Sequence, residues 1–231
     1  MTKIFCDIAE LKTIRRFSKK KIVRGFTTNP SLIRNAGAKD YSSYCKKILK
    51  ISKNKPISLE VFADDIKNMK IQALKINSWG KNIYVKIPIT NSRGILMGKV
   101  IRELNNLNIK LNITAVYSAN QTKQILKNIN KKSKVIISIF AGRAADVGKD
   151  PIPEFKKSIK LSKSYRNVEI LWASVREPYN YLQAKQLGCH IITVPPKIIE
   201  KIEKFGKSFK KLTKDTVIGF LKDSKKSQFK L

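Results

Sequence analysis

Eight short β-rich runs, each followed by a segment of helical character, set the strongest limit on what this chain can fold into. The runs are IFCD (4–7), GFTT (25–28), ISLEV (57–61), IYVKI (83–87), KLNITAV (110–116), VIISIF (135–140), EILWAS (169–174) and HIITV (190–194). Between them, sets such as Ile66-Met69-Ala73-Ile76 and Ile101-Leu104-Leu107 recur at spacings of three and four, which is one face of a helix. Asp, Ser, Asn or Pro opens many of these segments, as caps and first turns require. Strand–helix alternation makes successive strands parallel, joined by right-handed crossovers. Eight such units in 231 residues match a closed (β/α)8 TIM barrel. The competing open, doubly wound sheet lacks its usual mark, since no GxGxxG follows the first run. No linker, repeat or low-complexity block divides the chain. Residues 1–231 therefore read as one α/β barrel domain, with an extra C-terminal helix near 214–223 and a basic tail within 205–231.

Composition narrows the function class. Hydrophobic residues make up 42%, enough for a real core and too many for a disordered chain. No apolar run is long enough to span a bilayer. The start, MTKIFCDIAELK, carries Asp7 and no apolar stretch, so it does not read as a secretory signal. Cys6, Cys45 and Cys189 are far apart and form no CxxC, and they read as reduced thiols of a cytoplasmic protein. The net charge is +33. Lysines outnumber arginines 40 to 9 and are scattered along the chain, with no single basic block and few aromatics among them. That pattern argues against specific nucleic-acid recognition and leaves nonspecific polyanion binding as a partner class. A basic polyanion-binding barrel without activity is accordingly the alternative to an enzyme.

In a (β/α)8 barrel the chemistry gathers at the C-terminal ends of the strands. Read in order, those ends offer Asp7, then Thr27-Thr28-Asn29-Pro30-Ser31, Glu60, Lys86, Asn112 with Thr114, Ser138 followed by Gly142-Arg143, and Ser174 followed by Arg176. Side chains two apart on a strand share a face, so Tyr84 pairs with Lys86 and Asn112 with Thr114. A Lys86 pointing into the barrel would be stripped of water, which disfavours its charged form. A neutral amine can attack a ketone and form an iminium, an electron sink for breaking a carbon–carbon bond. A Lys86 pointing outward would snorkel between helices instead. Asp7 and Glu60 would converge on the same mouth and could carry protons; the plainer role for Glu60 is an ion pair with Lys86. Arg143, Ser174 and Arg176, at the ends of neighbouring strands, could clamp one phosphate. His190 opens the last strand, at the opposite end of the barrel, and Trp79 and Trp172 read as packing residues.

The segments GFTTNPSLI (25–33), VKIPIT (85–90), NITAVYSANQ (112–121), SIFAGR (138–143) and ASVREP (173–178) resemble, in order and spacing, the signature segments of transaldolases, in particular the small class that includes fructose 6-phosphate aldolases. The resemblance runs from about residue 4 to residue 223. It implies that Lys86 forms the Schiff base and that Asp7 handles the proton on the hydroxyl whose carbon is cleaved. It also implies that Glu60 acts as general acid and base through a water oriented by Thr114. Asn29, Asn112 and Ser138 would hold the hydroxyls of a three-carbon unit, and Arg143, Ser174 and Arg176 the substrate phosphate. Thr28 and Phe140 are further substrate-lining positions.

The implied reaction moves a dihydroxyacetone unit from fructose 6-phosphate or sedoheptulose 7-phosphate to an aldose phosphate, within the pentose phosphate pathway. It uses no metal or organic cofactor. The aldolase branch usually has glutamine where this chain has Glu60 and tyrosine where it has Phe140, so the transferase is the favoured reading. An aldolase, or an enzyme of unusual ketoses such as sulfonated ones, is the alternative. Departures from the pattern are Ile8 after Asp7, Ile139 for the usual proline, and Ala145-Asp146 for an acidic pair. The resemblance further implies a homo-oligomer, a pentamer or decamer, in which the C-terminal helix reaches a neighbour.

Overall fold

The computed structural model describes residues 1–228. The strands are β1 (Lys3–Asp7), β2 (Val23–Thr27), β3 (Ile57–Glu60), β4 (Ile83–Pro88), β5 (Leu111–Val116), β6 (Val135–Phe140), β7 (Val168–Ala173) and β8 (Ile191–Val194). They pair in chain order, all parallel, and β8 returns to β1 with Lys3 opposite Ile191 and Cys6 opposite Val194. The sheet is a closed eight-stranded barrel, so no strand edge is left open.

Eleven helices accompany it among the described residues. They are α1 (Leu11–Ser18), α2 (Pro30–Asn35), α3 (Tyr41–Ile51), α4 (Ile66–Asn77), α5 (Gly98–Asn106), α6 (Ala119–Leu126), α7 (Ala141–Ala145), α8 (Ile152–Ser162), α9 (Tyr179–Gln186), α10 (Pro196–Ile202) and α11 (Phe209–Ser227). The caps follow the chemistry of the sequence. Asn29, Asp40, Asp65 and Ser118 accept backbone N–H groups at the starts of α2, α3, α4 and α6, and Gln121 completes a capping box with Ser118.

The period of two in each strand splits the apolar residues into two populations. Outward residues such as Phe26, Leu59, Val85, Ile113 and Trp172 pack under the helices. Trp172 stacks on Phe155, with centroids 4.5 Å apart, and is the packing residue expected. Inward residues Phe5, Tyr84, Ile136, Leu171 and Ile191 form a separate apolar cluster inside the barrel. Gly25 makes room for it, because a Cβ there would stand 2.6 Å from the Phe5 ring. Two residues further along β1, β4, β6 and β8 the inward positions become Asp7, Lys86, Ser138 and Thr193. The barrel thus has an apolar floor and a polar upper storey.

The observed elements differ from the expected ones mainly at their ends. β2 starts earlier, at Val23, which pairs with Ile4 before the register slips past the exposed Arg24 to set Gly25 opposite Phe5. Two helices, α2 and α3, fill the connection from β2 to β3. Leu107 is the C-cap of α5 and is 56% exposed, so it lies off the buried face carried by Ile101 and Leu104. The C-terminal helix runs from Phe209 to Ser227, well beyond 214–223, with Ser208 as its N-cap and Lys225 and Lys226 in the last turn, where cations suit the helix dipole. The last part of the expected basic tail, residues 229–231, lies outside the described residues.

His190, the single histidine, sits at the floor end. Its Nδ1 accepts the Ile170 N–H at 3.0 Å and its own backbone N–H donates to the Ile170 carbonyl at 3.1 Å. Burial holds its imidazole below the ordinary value near 6.5. The unfolded chain therefore binds the proton first, and stability is lost as pH falls below about 6.5. Thermal melts from pH 7.5 to 5 should show this decline, and it should be smaller in His190→Asn, which keeps an acceptor at the Nδ1 position without a titrating ring.

Candidate active site

Lys86 points into the barrel and is 7% exposed. Its Nζ donates to the Thr28 carbonyl at 3.2 Å and lies 3.0 Å from Glu60 Oε2. The β3–β4 register makes Glu60 and Lys86 direct partners, so their inward side chains meet without help from any loop. Snorkelling between helices is excluded. The ion pair considered as the plainer role of Glu60 is present, and it also provides a base in contact with the amine.

On the other side of the mouth, Asp7 accepts a hydrogen bond from Thr27 Oγ1 at 2.7 Å, and that hydroxyl lies 2.5 Å from Thr193 Oγ1. Burial pushes the Asp7 carboxyl up from its ordinary range, while the Thr27 hydrogen bond and the Lys86 charge pull it partly back. A carboxyl raised in this way takes up a proton more readily than a surface aspartate does.

A third chain of bonds crosses the wall. Ser138 Oγ donates to Asn112 Oδ1 at 2.6 Å, and Asn112 Nδ2 donates to Ser58 Oγ at 2.9 Å. Next to it, Thr114 Oγ1 is buried with no partner among the described residues. The β5–β6 register slips between Ile113 and Val116, and Ala115 adopts a φ of +59°. This bulge re-aims the end of the strand, as bulges at barrel rims do.

The cavity enclosed by these groups has a volume of about 200 Å³ and is lined by Lys86, Asp7, Thr27, Asn29, Thr114, Ser138, Phe140, Arg143, Ala173, Ser174, Arg176 and Thr193. Two larger hollows, about 1090 and 1030 Å³, lie at the floor end and share Lys132 and Lys134. They are open and basic, and they lie at the end of the barrel away from the C-terminal ends of the strands. The smaller cavity is the candidate site.

Its rim carries the cations. Arg143 lies over the Phe140 ring at 5.3 Å, and the Tyr117 ring tilts against Phe140 at 5.8 Å. Arg176 donates from Nε and Nη2 to the two oxygens of Asp146, at 3.1 and 2.5 Å, which holds the Asp146 carboxyl below its ordinary range. The two arginines and Ser174 therefore stand together, with one fork of Arg176 already engaged.

Of the residues expected at a site, Thr28, Glu60 and Asn112 do not line the cavity; Glu60 meets it only through its contact with Lys86. Thr28 is fully buried, with its hydroxyl on the Ser58 carbonyl, and acts through its own carbonyl on Lys86. Asn112 is fully buried behind Ser138. Asn29 is divided between the cavity and its capping bond to Leu32 N–H, 2.9 Å. Thr27 and Thr193 also line the cavity, and no motif in the sequence assigns either a role. Parity alone could have found both, since each lies two residues beyond an inward floor position, Gly25 and Ile191.

This fold and site define a closed parallel barrel with a buried lysine–carboxylate pair under an arginine-bearing rim. The family model for transaldolase/fructose-6-phosphate aldolase matches residues 4–231. The chain is 35% identical over 203 residues to a probable transaldolase of Thermoanaerobacter sp. (strain X514), covering 87% of this chain and 89% of that protein. It is 33% identical over 228 residues to a probable transaldolase of Nitrosopumilus maritimus (strain SCM1), covering 97% and 95%. The chain belongs to the transaldolase/fructose-6-phosphate aldolase family and is an enzyme of the transaldolase type.

Among solved structures, dihydrodipicolinate synthase from Thermotoga maritima superposes with a TM-score of 0.61 at 11% identity, covering 83% of this chain and 69% of that one. KGPDC from Streptococcus mutans gives 0.59 at 11% identity, covering 87% and 90%. At such identities these two matches speak only to the barrel fold.

The rim also fixes a glycine. A Cβ on Gly142 would stand 1.8 Å from the Ser174 carbonyl oxygen, and Ser174 itself holds a φ of +64°. The close approach locks the Arg143 turn to the strained end of β7. Gly142→Ala should destabilise the fold by about 1–3 kcal/mol, read from urea unfolding, because backbone rather than a side chain must yield.

Proposed function

We propose that the protein transfers a dihydroxyacetone unit from a ketose phosphate to an aldose phosphate through a Schiff base on Lys86. The observation that carries this reading is the buried Lys86 Nζ, 3.0 Å from the Glu60 carboxylate and open to a small polar cavity.

The steps follow from the groups present. Glu60 accepts a proton from the Lys86 ammonium, and the amine attacks the ketone carbon of the donor. The carbinolamine hydroxyl takes up a proton and leaves as water, which forms the iminium. Asp7 then removes the proton from the hydroxyl two carbons from the iminium carbon. The bond between that hydroxyl-bearing carbon and its neighbour breaks, its electron pair flows into the iminium, and the aldose phosphate leaves as an aldehyde. The remaining enamine attacks an acceptor aldehyde, Asp7 returns its proton to the new oxygen, and water releases the ketose product and the free amine. Thr27 and Thr193 hold Asp7 in place, Ser138 and Asn29 serve the hydroxyls of the three-carbon unit, and Thr114 holds a water for Glu60. Arg143, Arg176 and Ser174 take the phosphate, with Asp146 fixing the Arg176 fork.

Glu60 and Phe140 support the transferase over release of free dihydroxyacetone, because the aldolase branch that the sequence resembles usually carries glutamine and tyrosine at these positions. Borohydride added with fructose 6-phosphate should fix a three-carbon adduct on the Lys86 peptide in mass spectrometry. Lys86→Met should give none, and donor consumption should depend on added erythrose 4-phosphate. Turnover that ignores the acceptor would assign the aldolase reaction instead.

The functional form we propose is a homo-oligomer built through α11. This helix buries none of its residues against its own barrel and exposes Val217, Phe220 and Leu221 on one side. A second copy of the chain is the occupant that fits, since the family match extends through this helix to residue 231. Light scattering in high salt, where repulsion between chains of charge +33 is screened, should give a multiple of the 26.3 kDa chain mass. Phe220→Asp with Leu221→Asp should reduce it to that mass.

A further inference from the structure

The ladder between β2 and β3 is short. It pairs Phe26 with Ile57 and Thr27 with Ser58 and then ends, with Thr28 N–H donating to the Ser58 carbonyl at 3.1 Å. Beyond that point the chain of β2 turns away into α2, which Pro30 begins. In a parallel sheet, alternate residues direct both backbone groups to the same neighbour. Ser58 and Glu60 face the β2 side, whereas Val61 faces β4 and donates to the Lys86 carbonyl at 3.1 Å. Glu60 is therefore left at the barrel rim with an N–H and a carbonyl that no strand can satisfy.

One side chain satisfies both. Tyr41 Oη donates to the Glu60 carbonyl at 2.7 Å and accepts the Glu60 N–H at 3.1 Å. A phenol hydroxyl carries one donor and acceptor lone pairs, so a single atom can stand in for a strand at one residue. Tyr41 is well anchored for this task. It is the first residue of α3, directly after the N-cap Asp40, which accepts the Ser43 N–H at 2.7 Å. Its ring meets Phe62 edge-on at 5.3 Å and tilts against Trp79 at 6.3 Å. Burial holds its hydroxyl protonated far above the ordinary phenol range, so the donor is present at any pH at which the protein works.

We propose that Tyr41 is a positioning residue for Glu60, replacing the missing β2 ladder partner and fixing the backbone from which the carboxylate reaches Lys86. The inference rests on the reading of Glu60 and Lys86 as the reacting pair. Misplacement of a catalytic group by a fraction of an ångström is expensive in rate and cheap in binding. Tyr41 touches neither the cavity nor the amine, so its effect should pass wholly through Glu60.

The test is a double-mutant cycle with Tyr41→Phe, which keeps the ring between Phe62 and Trp79, and Glu60→Gln. In the wild-type background Tyr41→Phe should lower kcat about tenfold with donor KM changed less than about twofold. In the Glu60→Gln background the same change should have no further effect. Where turnover of Glu60→Gln is too slow, the rate of borohydride-trapped adduct formation at Lys86 is the readout. A merely structural tyrosine would cost the same factor in both backgrounds, and that result, or an unchanged kcat, overturns the proposal. An absence of any adduct on Lys86 in the wild-type enzyme would instead overturn the Schiff-base reading, and the role of Tyr41 with it.

Discussion

The constraint on which the rest of the structure depends is the closure of β8 onto β1. An eight-stranded parallel sheet buried under helices leaves little water for its backbone groups, and a ring leaves no edge strand, so that only rim positions such as Glu60 need a partner from outside the sheet. Closure also fixes which side chains face inward, because the period of two then carries from strand to strand, interrupted only where the register slips in β1–β2 and β5–β6. That single choice of parity puts Phe5, Tyr84, Ile136 and Ile191 at the floor and Asp7, Lys86, Ser138 and Thr193 above them. The apolar floor shuts the barrel from below, so the polar storey opens in one direction only.

The polar storey works against the fold that holds it. Lys86 and Glu60 lose most of their hydration, and their mutual contact at 3.0 Å offsets that loss without turning it into a gain. Asp7 is held where burial opposes its charge. Ser174 and Ala115 sit at positive φ without being glycine. These features cluster at one rim, while the remaining wall is packed with isoleucine, valine and leucine in ordinary surroundings. The division is the one expected where function is concentrated in a small part of a stable scaffold.

Much of this is legible in the sequence, and for a physical reason. Strand parity and strand–helix alternation are local patterns, so the barrel, the gathering of Asp7, Glu60 and Lys86 at one end of it, and the rim group of Arg143, Ser174 and Arg176 can be read directly, while whether Lys86 points inward or outward is settled only by the fold. What escapes depends on how separate segments approach one another. The engagement of Arg176 by Asp146 and the clash that forces glycine at 142 are tertiary facts. So is the turning of Thr28 onto Ser58, which follows from the early end of the β2–β3 ladder. The full length of α11 is hidden because lysines break up its apolar pattern, although lysine itself favours helix. Trp79 reads simply as packing; the fold gives it a definite place beside Tyr41.

Glu60 and Lys86 are ladder partners, held at neighbouring points of the wall by backbone hydrogen bonds. Arg143, Arg176, Phe140 and Tyr117 belong to the rim, where strands give way to connections. Insertions or replacements in those connections would alter which molecule is admitted and leave the carboxylate–amine distance untouched. On the proposed reading, bond chemistry and substrate choice are inherited through different parts of the chain, and a lineage could change its substrate without having to rediscover its reaction.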